Sequence, residues 1–321
     1  MQGLFPPKCI KIDGMRKEWI MTDEEKQMKK QKIETNRRLK ELSVNYQTYV
    51  DNSDQASSDT VSPDTNVLPQ SLFSVSLTQS DWTKLHDIQT AYTNAVKMNS
   101  VEGLHRYPSI ETFSSTDQLI NIPTNIASLR LIAYIKQIPE FQTLNEDDKV
   151  TLVKYNILAA IFMHGVLIYD PLNDTFHEHN TDDYLFDAKD FITTISLDFY
   201  QQTTYVMKDL IQIVEHDRMI VKILIIILIC SKGFCAYEYM QEPILNNTIN
   251  VYNVQNIYID LLWLYCSNQF GYWRTVNLFS KLLTRFMSIQ ILAKDMRTIL
   301  HHQPSIDQKL VPLMKSLMLL T

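Results

Sequence analysis

Glycine is scarce in the chain. Only 6 occur in 321 residues, at positions 3, 14, 103, 165, 233 and 271. Glycine supplies the positive φ angles of tight turns, so its rarity argues against a turn-rich β protein and for long helices. Cysteine is scarcer still: Cys9, Cys230, Cys235 and Cys266 form no CxxC pair. That pattern encodes neither a zinc ribbon nor a disulfide framework, and reduced thiols are the simplest expectation. The nucleophile-elbow, HExxH, P-loop and GxGxxG motifs are all missing, so no enzyme activity and no cofactor are expected. The most apolar run, ILIIILIC at 223–230, falls well short of the about 20 residues that span a bilayer. It reads as a helix buried on every side, and no membrane partner is expected. The first ten residues, MQGLFPPKCI, lack the apolar core of a secretory signal. Residues 43–75 lack Lys and Arg altogether. Their SDQASSDTVSPDTN stretch has the composition of a disordered hinge, which places a domain boundary near residue 75.

The net charge of −6 is unevenly spread. Residues 8–42 hold 11 Lys/Arg against 7 Asp/Glu, leaving 19 against 29 elsewhere. A basic arm on an acidic body suits either a solvated helix or a segment that meets nucleic acid or an import receptor. Residues 22–42 read as one helix, opened by a capping box of Thr22 and Glu25. From residue 76 onward, 3.6-residue apolar periodicity predicts helices over about 77–98, 118–137, 147–168, 186–213, 217–232, 247–268, 272–301 and 311–319. The first opens with a Thr78-x-x-Asp81 signal and carries Trp82, Leu85, Ile88 and Ala91. A short β-hairpin is expected within VLIYDPLNDTFHEH, 166–179, and loops over 99–116 and 139–146.

Four features carry candidate chemistry. His177-Glu178-His179 has two potential metal ligands but no third, and reads as an exposed turn. His164 sits inside an apolar helix beside Gly165. A buried imidazole there needs a partner, either a structural bond to backbone or a ligand in a mostly apolar cavity. The terminal VPLMKSLMLLT places Leu313, Met314, Leu317 and Met318 on one apolar face. A helix so short must dock on something, as a packing element or a mobile lid. Finally, Lys136 and Lys154 bracket an apolar corner, where they cap helix carbonyls or clamp the carbonyl end of a docked helix.

That corner also carries a resemblance. Ile138-Pro139-Glu140-Phe141, Leu144, Asp148 and Leu152-Val153-Lys154 are similar to the signature of nuclear receptor ligand-binding domains. The resemblance extends over residues 77–321. The N-terminal KCIKIDGMRKEWIMTDEEKQMKKQKIE resembles the extension after the zinc-finger domain of vitamin D, xenobiotic and oxysterol/ecdysone receptors. The resemblance implies an all-α fold, a three-layer antiparallel helical sandwich of about a dozen helices with one short β-hairpin. It divides the chain into 1–42, an extension of a missing DNA-binding domain; 43–75, a hinge; and 76–321, the ligand-binding domain. It implies a ligand-regulated transcription factor in the nucleus, with a cytoplasmic pool. The ligand would be lipophilic, lined by Ile120, Thr124, Ala127, Leu158, Ile161, Phe162, His164, Gly165, Ile168, Met314 and Met318. Coactivator LxxLL helices would dock on Ile132, Lys136, Val150, Lys154, Leu313 and Ser316. Helix 272–301 resembles the helix that pairs with a retinoid X receptor.

The departures from the family pattern are specific. No zinc fingers precede Cys9, so DNA contact rests on the basic arm unless fingers exist upstream. KCIKIDGM has one residue more than the family's version. Ser316 stands where the activating glutamate belongs, and Lys149 where the signature has glutamine. Met219 and Met287 replace a family ion pair, which leaves no orphan charge. These departures favour an alternative: a receptor-like interaction protein that heterodimerises and modulates other receptors without ligand.

Overall fold

A computed structural model describes Lys30 and residues 76–100, 113–181, 183, 185–232 and 244–320. The chain divides into two units, Met1–Leu68 and Pro69–Thr321. The expected basic helix and hinge lie outside the described residues, save Lys30, which is helical and exposed. The second unit is all-α with one small antiparallel sheet.

Helix α1 (Gln79–Met98) begins as its sequence dictates. Thr78 accepts from the Asp81 amide at 3.2 Å, and Asp81 accepts from the Thr78 amide at 2.8 Å, a reciprocal capping box. Leu85, Ile88, Ala91, Tyr92, Ala95 and Val96 form its buried stripe, whereas Trp82 is exposed. The expected continuous helix 118–137 is instead α2 (Thr116–Leu119), a π-turn (Ile120–Thr124) and α3 (Asn125–Lys136). Pro123 explains the interruption. It has no N–H to donate, and its ring crowds the preceding turn, so the helix widens there. The Thr124 hydroxyl bonds back to the Leu119 carbonyl at 2.8 Å, across the wider turn.

The stretch 139–146, expected as a loop, contains the short α4 (Pro139–Gln142). Pro139 occupies the first helical position, where a missing N–H costs nothing, and holds Ile138 extended. Helix α5 (Glu146–Ile168) follows, capped by Asn145. By length and composition α5 could cross a membrane, a feature the sequence reading assigned to no segment, but 67% of its apolar window is buried in the protein. Strands β1 (Tyr169–Asp170) and β2 (Thr175–Phe176) make the expected hairpin, with Tyr169 opposite Phe176. A third strand, β3 (Phe186–Asp187), pairs with β2. The expected helix 186–213 is thereby divided into β3, α6 (Asp190–Thr194) and α7 (Leu197–Ile213). The break falls at Ser196, whose hydroxyl caps α7 by accepting from the Phe199 amide at 3.1 Å.

The remaining helices are α8 (Arg218–Ile229), α9 (Thr248–Phe270), α10 (Tyr272–His301), α11 (Ile306–Lys309) and α12 (Pro312–Leu317). Every residue of α8 from Ile220 to Ile229 is buried, as its unbroken apolar run requires. Gly271, at φ 79°, sits between α9 and α10 in the left-handed region that favours glycine. Helix α5 is the hub: α3, α7, α8, α10 and α12 all pack on it. Asp148, buried on its first turn, accepts from the Asn246 and Asn247 amides at 2.6 and 2.9 Å and so fixes the entry to α9.

Candidate functional site

A cavity of about 120 Å³ opens between the π-turn, α3, α5, the sheet, α6 and α7. A single water needs roughly 10–15 Å³, so side chains do not fill this space. Most of the wall is apolar: Leu119, Pro123, Ile126, Leu158, Ile161, Phe162, Ile168 and Met207 contribute, with Met296 from α10. Phe113, Phe176, Phe186 and Phe191 close the sheet side. Phe176 stacks on Phe186, and Phe191 meets both edge-on, which fixes these rings as a rigid wall.

At Gly165 a larger residue would have to displace Met207. A Cβ there would lie 2.4 Å from the Met207 methyl and 3.3 Å from its sulfur. The glycine therefore lets α7 approach α5.

The polar residues gather on His164, Glu178, Arg130, Asp183 and His177. His164 Nε2 lies 2.9 Å from Glu178 Oε2 and 3.0 Å from the Tyr92 hydroxyl. Tyr92 donates to both Glu178 oxygens, at 3.1 and 2.9 Å. Burial pushes the Glu178 carboxyl up, but the His164 hydrogen bond and charge, the Tyr92 hydroxyl and the Arg130 guanidinium outweigh it, bringing the pKa down to about 2. Glu178 is therefore an ionised acceptor, and it fixes the proton of His164 on Nε2. The Tyr92 phenol is pushed well above its usual range by burial and by that carboxylate. His164 Nδ1 is buried and has no partner among the described residues.

Arg130 forms the second polar group. Its guanidinium holds Asp183 through two bonds, at 2.5 and 2.9 Å, and the Asn99 carbonyl through two more, at 3.2 and 3.1 Å. Such a fork–fork pair is among the stronger hydrogen-bond geometries. Arg218 approaches Glu178 at 3.9 Å. Behind Tyr92, the Lys222 ammonium sits 4.9 Å from the ring centroid and 2.5 Å from Gln89 Oε1. Burial and Arg218 bring its pKa down to about 8, despite the nearby Glu178 and Asp217.

Of the positions that the sequence singled out for a ligand, Thr124, Ala127, Leu158, Ile161, Phe162, His164, Gly165 and Ile168 line the cavity. Ile120, Met314 and Met318 do not line it; they are fully buried in the core. Their side chains pack where the widened turn and α12 meet the body, and Met296 takes the wall position instead. The reading of His177-Glu178-His179 as an exposed turn needs correction. Glu178 is only 3% exposed, His177 reaches the cavity, and His179 alone is exposed. His164 finds its partner in this side chain, not in backbone. Tyr92, Arg130 and Asp183 were not singled out in the sequence, and Glu178 was read only as part of an exposed turn. Arg130 was the detectable one, a cation in the middle of the apolar stretch IASLRLIAYI. Among the described residues, no three His, Cys, Asp or Glu side chains come together as metal ligands.

The second candidate surface lies on the other side of α3. Ile132 is half-buried, Val150 is 66% exposed, and Leu313 and Ser316 on α12 are half-buried. Lys136 is exposed and Lys154 half-buried. The carbonyls at the end of α3 are met by amides: Gln137 bonds the Ala133 carbonyl at 3.0 Å and Gln142 the Lys136 carbonyl at 2.7 Å. Neither lysine ammonium pairs with a carboxylate among the described residues. The capping role expected for Lys136 is thus filled by glutamines.

No protein-family model matches the chain, and no curated protein matches it either.

Proposed function

We propose that residues 76–321 form a ligand-binding domain of the nuclear receptor type, a three-layer antiparallel helical sandwich that couples a lipophilic ligand to coregulator binding. One observation carries this reading. Eight of the eleven positions named for the ligand by the resemblance line one partly open, mostly apolar cavity, with His164 on its wall. Such cavities hold apolar molecules and orient them with a few polar groups. The charged groups on this cavity's wall among the described residues are matched: Arg130 pairs with Asp183, and Glu178 faces Arg218 and accepts from His164. The charge balance therefore favours an uncharged ligand, hydrogen-bonded by His164.

The outer strip of Ile132, Val150 and Leu313 between Lys136 and Lys154 is the proposed dock for LxxLL peptides. Lysine ammonium groups suit the negative C-terminal end of such a helix. Helix α10 is proposed to pair with a retinoid X receptor, and the protein to act in the nucleus. Direct DNA contact is assigned to the basic arm alone unless zinc fingers exist upstream.

The test uses the full chain and the neutral dye Nile red. Saturable binding is expected in the wild type. It is expected to be lost in Ala127→Phe, which fills the cavity, and weakened several-fold in His164→Ala. Equal binding by all three proteins would remove the ligand reading. Ser316 favours a second reading, a ligand-independent interaction protein, because α12 has no carboxylate to face a docked helix. That reading expects peptide affinity to be indifferent to the Ala127→Phe plug.

A further inference from the structure

The π-turn has two faces that do different things. Its inner face, with Leu119 just before it, lines the cavity through Pro123 and Thr124. From the turn, Asn121 grips the chain just ahead of α12. Its Nδ2 donates to the Lys309 carbonyl at 2.9 Å, and its Oδ1 accepts from the Val311 amide at 3.0 Å. The two bonds bracket Leu310, the last residue of the α11–α12 link to be buried before Pro312 starts the helix. Asp117 faces Lys309 at 3.9 Å on the same side.

Helix α12 has six residues and cannot stand alone. It is held below by the buried Met314, by Ser128 at 4.0 Å from the Met314 sulfur, and by Arg297, which donates to the Leu317 carbonyl at 3.3 Å. Asn121 ties the residues leading into it to the π-turn in the cavity wall. Only an amide can serve here, since one atom must donate and the other accept. Widened π-turns inside α-helices are frequent at functional sites.

We propose that Asn121 is a positioning residue: it couples the cavity-lining π-turn to the docked state of α12. This rests on the ligand-binding reading above for its purpose, but not for its test. Filling the cavity presses on Pro123 and Thr124, fixes the turn, and thereby fixes the Asn121 amide and α12. Thr124 contributes through its bond to the Leu119 carbonyl, which holds the register of the turn.

The experiment is hydrogen–deuterium exchange of the full chain by mass spectrometry, on residues 306–320, with α5 as the internal control for folding. Asn121→Ala is expected to raise exchange in that segment about tenfold, the loss of two hydrogen bonds, and to leave α5 unchanged. Asn121→Asp is expected to do no better, because a carboxylate oxygen then faces the Lys309 carbonyl. Thr124→Val, made on the cavity side, raises exchange in the wild-type background but adds nothing to Asn121→Ala, the signature of a shared route. Unchanged exchange in Asn121→Ala, or full additivity of the two substitutions, would overturn the proposal. Nile red binding separates the two claims. Asn121→Ala should keep the wild-type dye affinity. A wild type that binds no dye removes the ligand reading, while the exchange cycle still decides the role of Asn121.

Discussion

Glu178 Oε2 and His164 Nε2 lie 2.9 Å apart in a site where both side chains are almost wholly buried. Removing the charge of Glu178 leaves His164 and Arg218 without their carboxylate. Glu178→Gln is therefore expected to cost about 3 kcal/mol, measured by urea unfolding at pH 7. The pair also sets a pH dependence. The folded pKa of about 2 lies below the usual 4.5, so the contribution is complete above 4.5 and disappears as pH falls toward 2. The wild-type advantage over Glu178→Gln should shrink across that window.

Lys222 gives the opposite sign. Its folded pKa of about 8 lies below the usual 10.5, so burying the charged form costs stability at neutral pH. The unfolded chain holds the proton longer, and this group's contribution to stability rises with pH between about 8 and 10.5. Lys222→Met should remove that rise. Comparing the two proteins at each pH isolates the lysine from the tyrosines that titrate nearby.

Gly165→Ala tests the tightest point of the cavity wall. The new Cβ displaces the Met207 methyl into the space that a ligand would occupy. The far end of a methionine is flexible, so the expected cost is modest, about 1–2 kcal/mol in thermal or urea unfolding. Dye affinity should fall several-fold, and Met207→Ala in the same chain should restore it.

Ser316→Glu places a carboxylate on α12, which has none. A carboxylate near the N-terminus of a docked helix is worth roughly 0.3–1 kcal/mol. LxxLL peptide affinity should therefore rise about two- to fivefold, measured by fluorescence anisotropy at low salt.

Much of the fold was legible in the sequence. Periodicity located the long helices, because an apolar stripe at helical spacing must find a core. Thr78 and Asp81 announced α1 in full, and the unbroken ILIIILI announced a helix buried all round. Errors fell where a single residue overrules periodicity. Pro123 widened one helix, Pro139 started another, and Ser196 cut a third. The cavity wall was legible where it follows a helix face, on α3 and α5. Its polar end was not. Glu178 lies in a polar stretch after a strand, and only the packing of the sheet against α1 and α5 brings it to Tyr92 and His164. On the helix leading to the corner, Ile122, Ile126, Leu129, Ala133 and Lys136 are half-buried or exposed. The core side of the same helix is supplied by Ala127, Leu131, Tyr134 and Ile135.

The central claim is that cavity and outer strip belong to one coregulator-recruiting domain. The most direct measurement is a titration of a labelled LxxLL peptide into the full chain, with and without saturating Nile red, for the wild type, Lys136→Ala and Ala127→Phe. The account predicts that dye changes peptide affinity in the wild type, that Lys136→Ala weakens binding at least several-fold, and that Ala127→Phe abolishes the response to dye. Peptide affinity that is indifferent to Lys136→Ala and to the dye alike would contradict it.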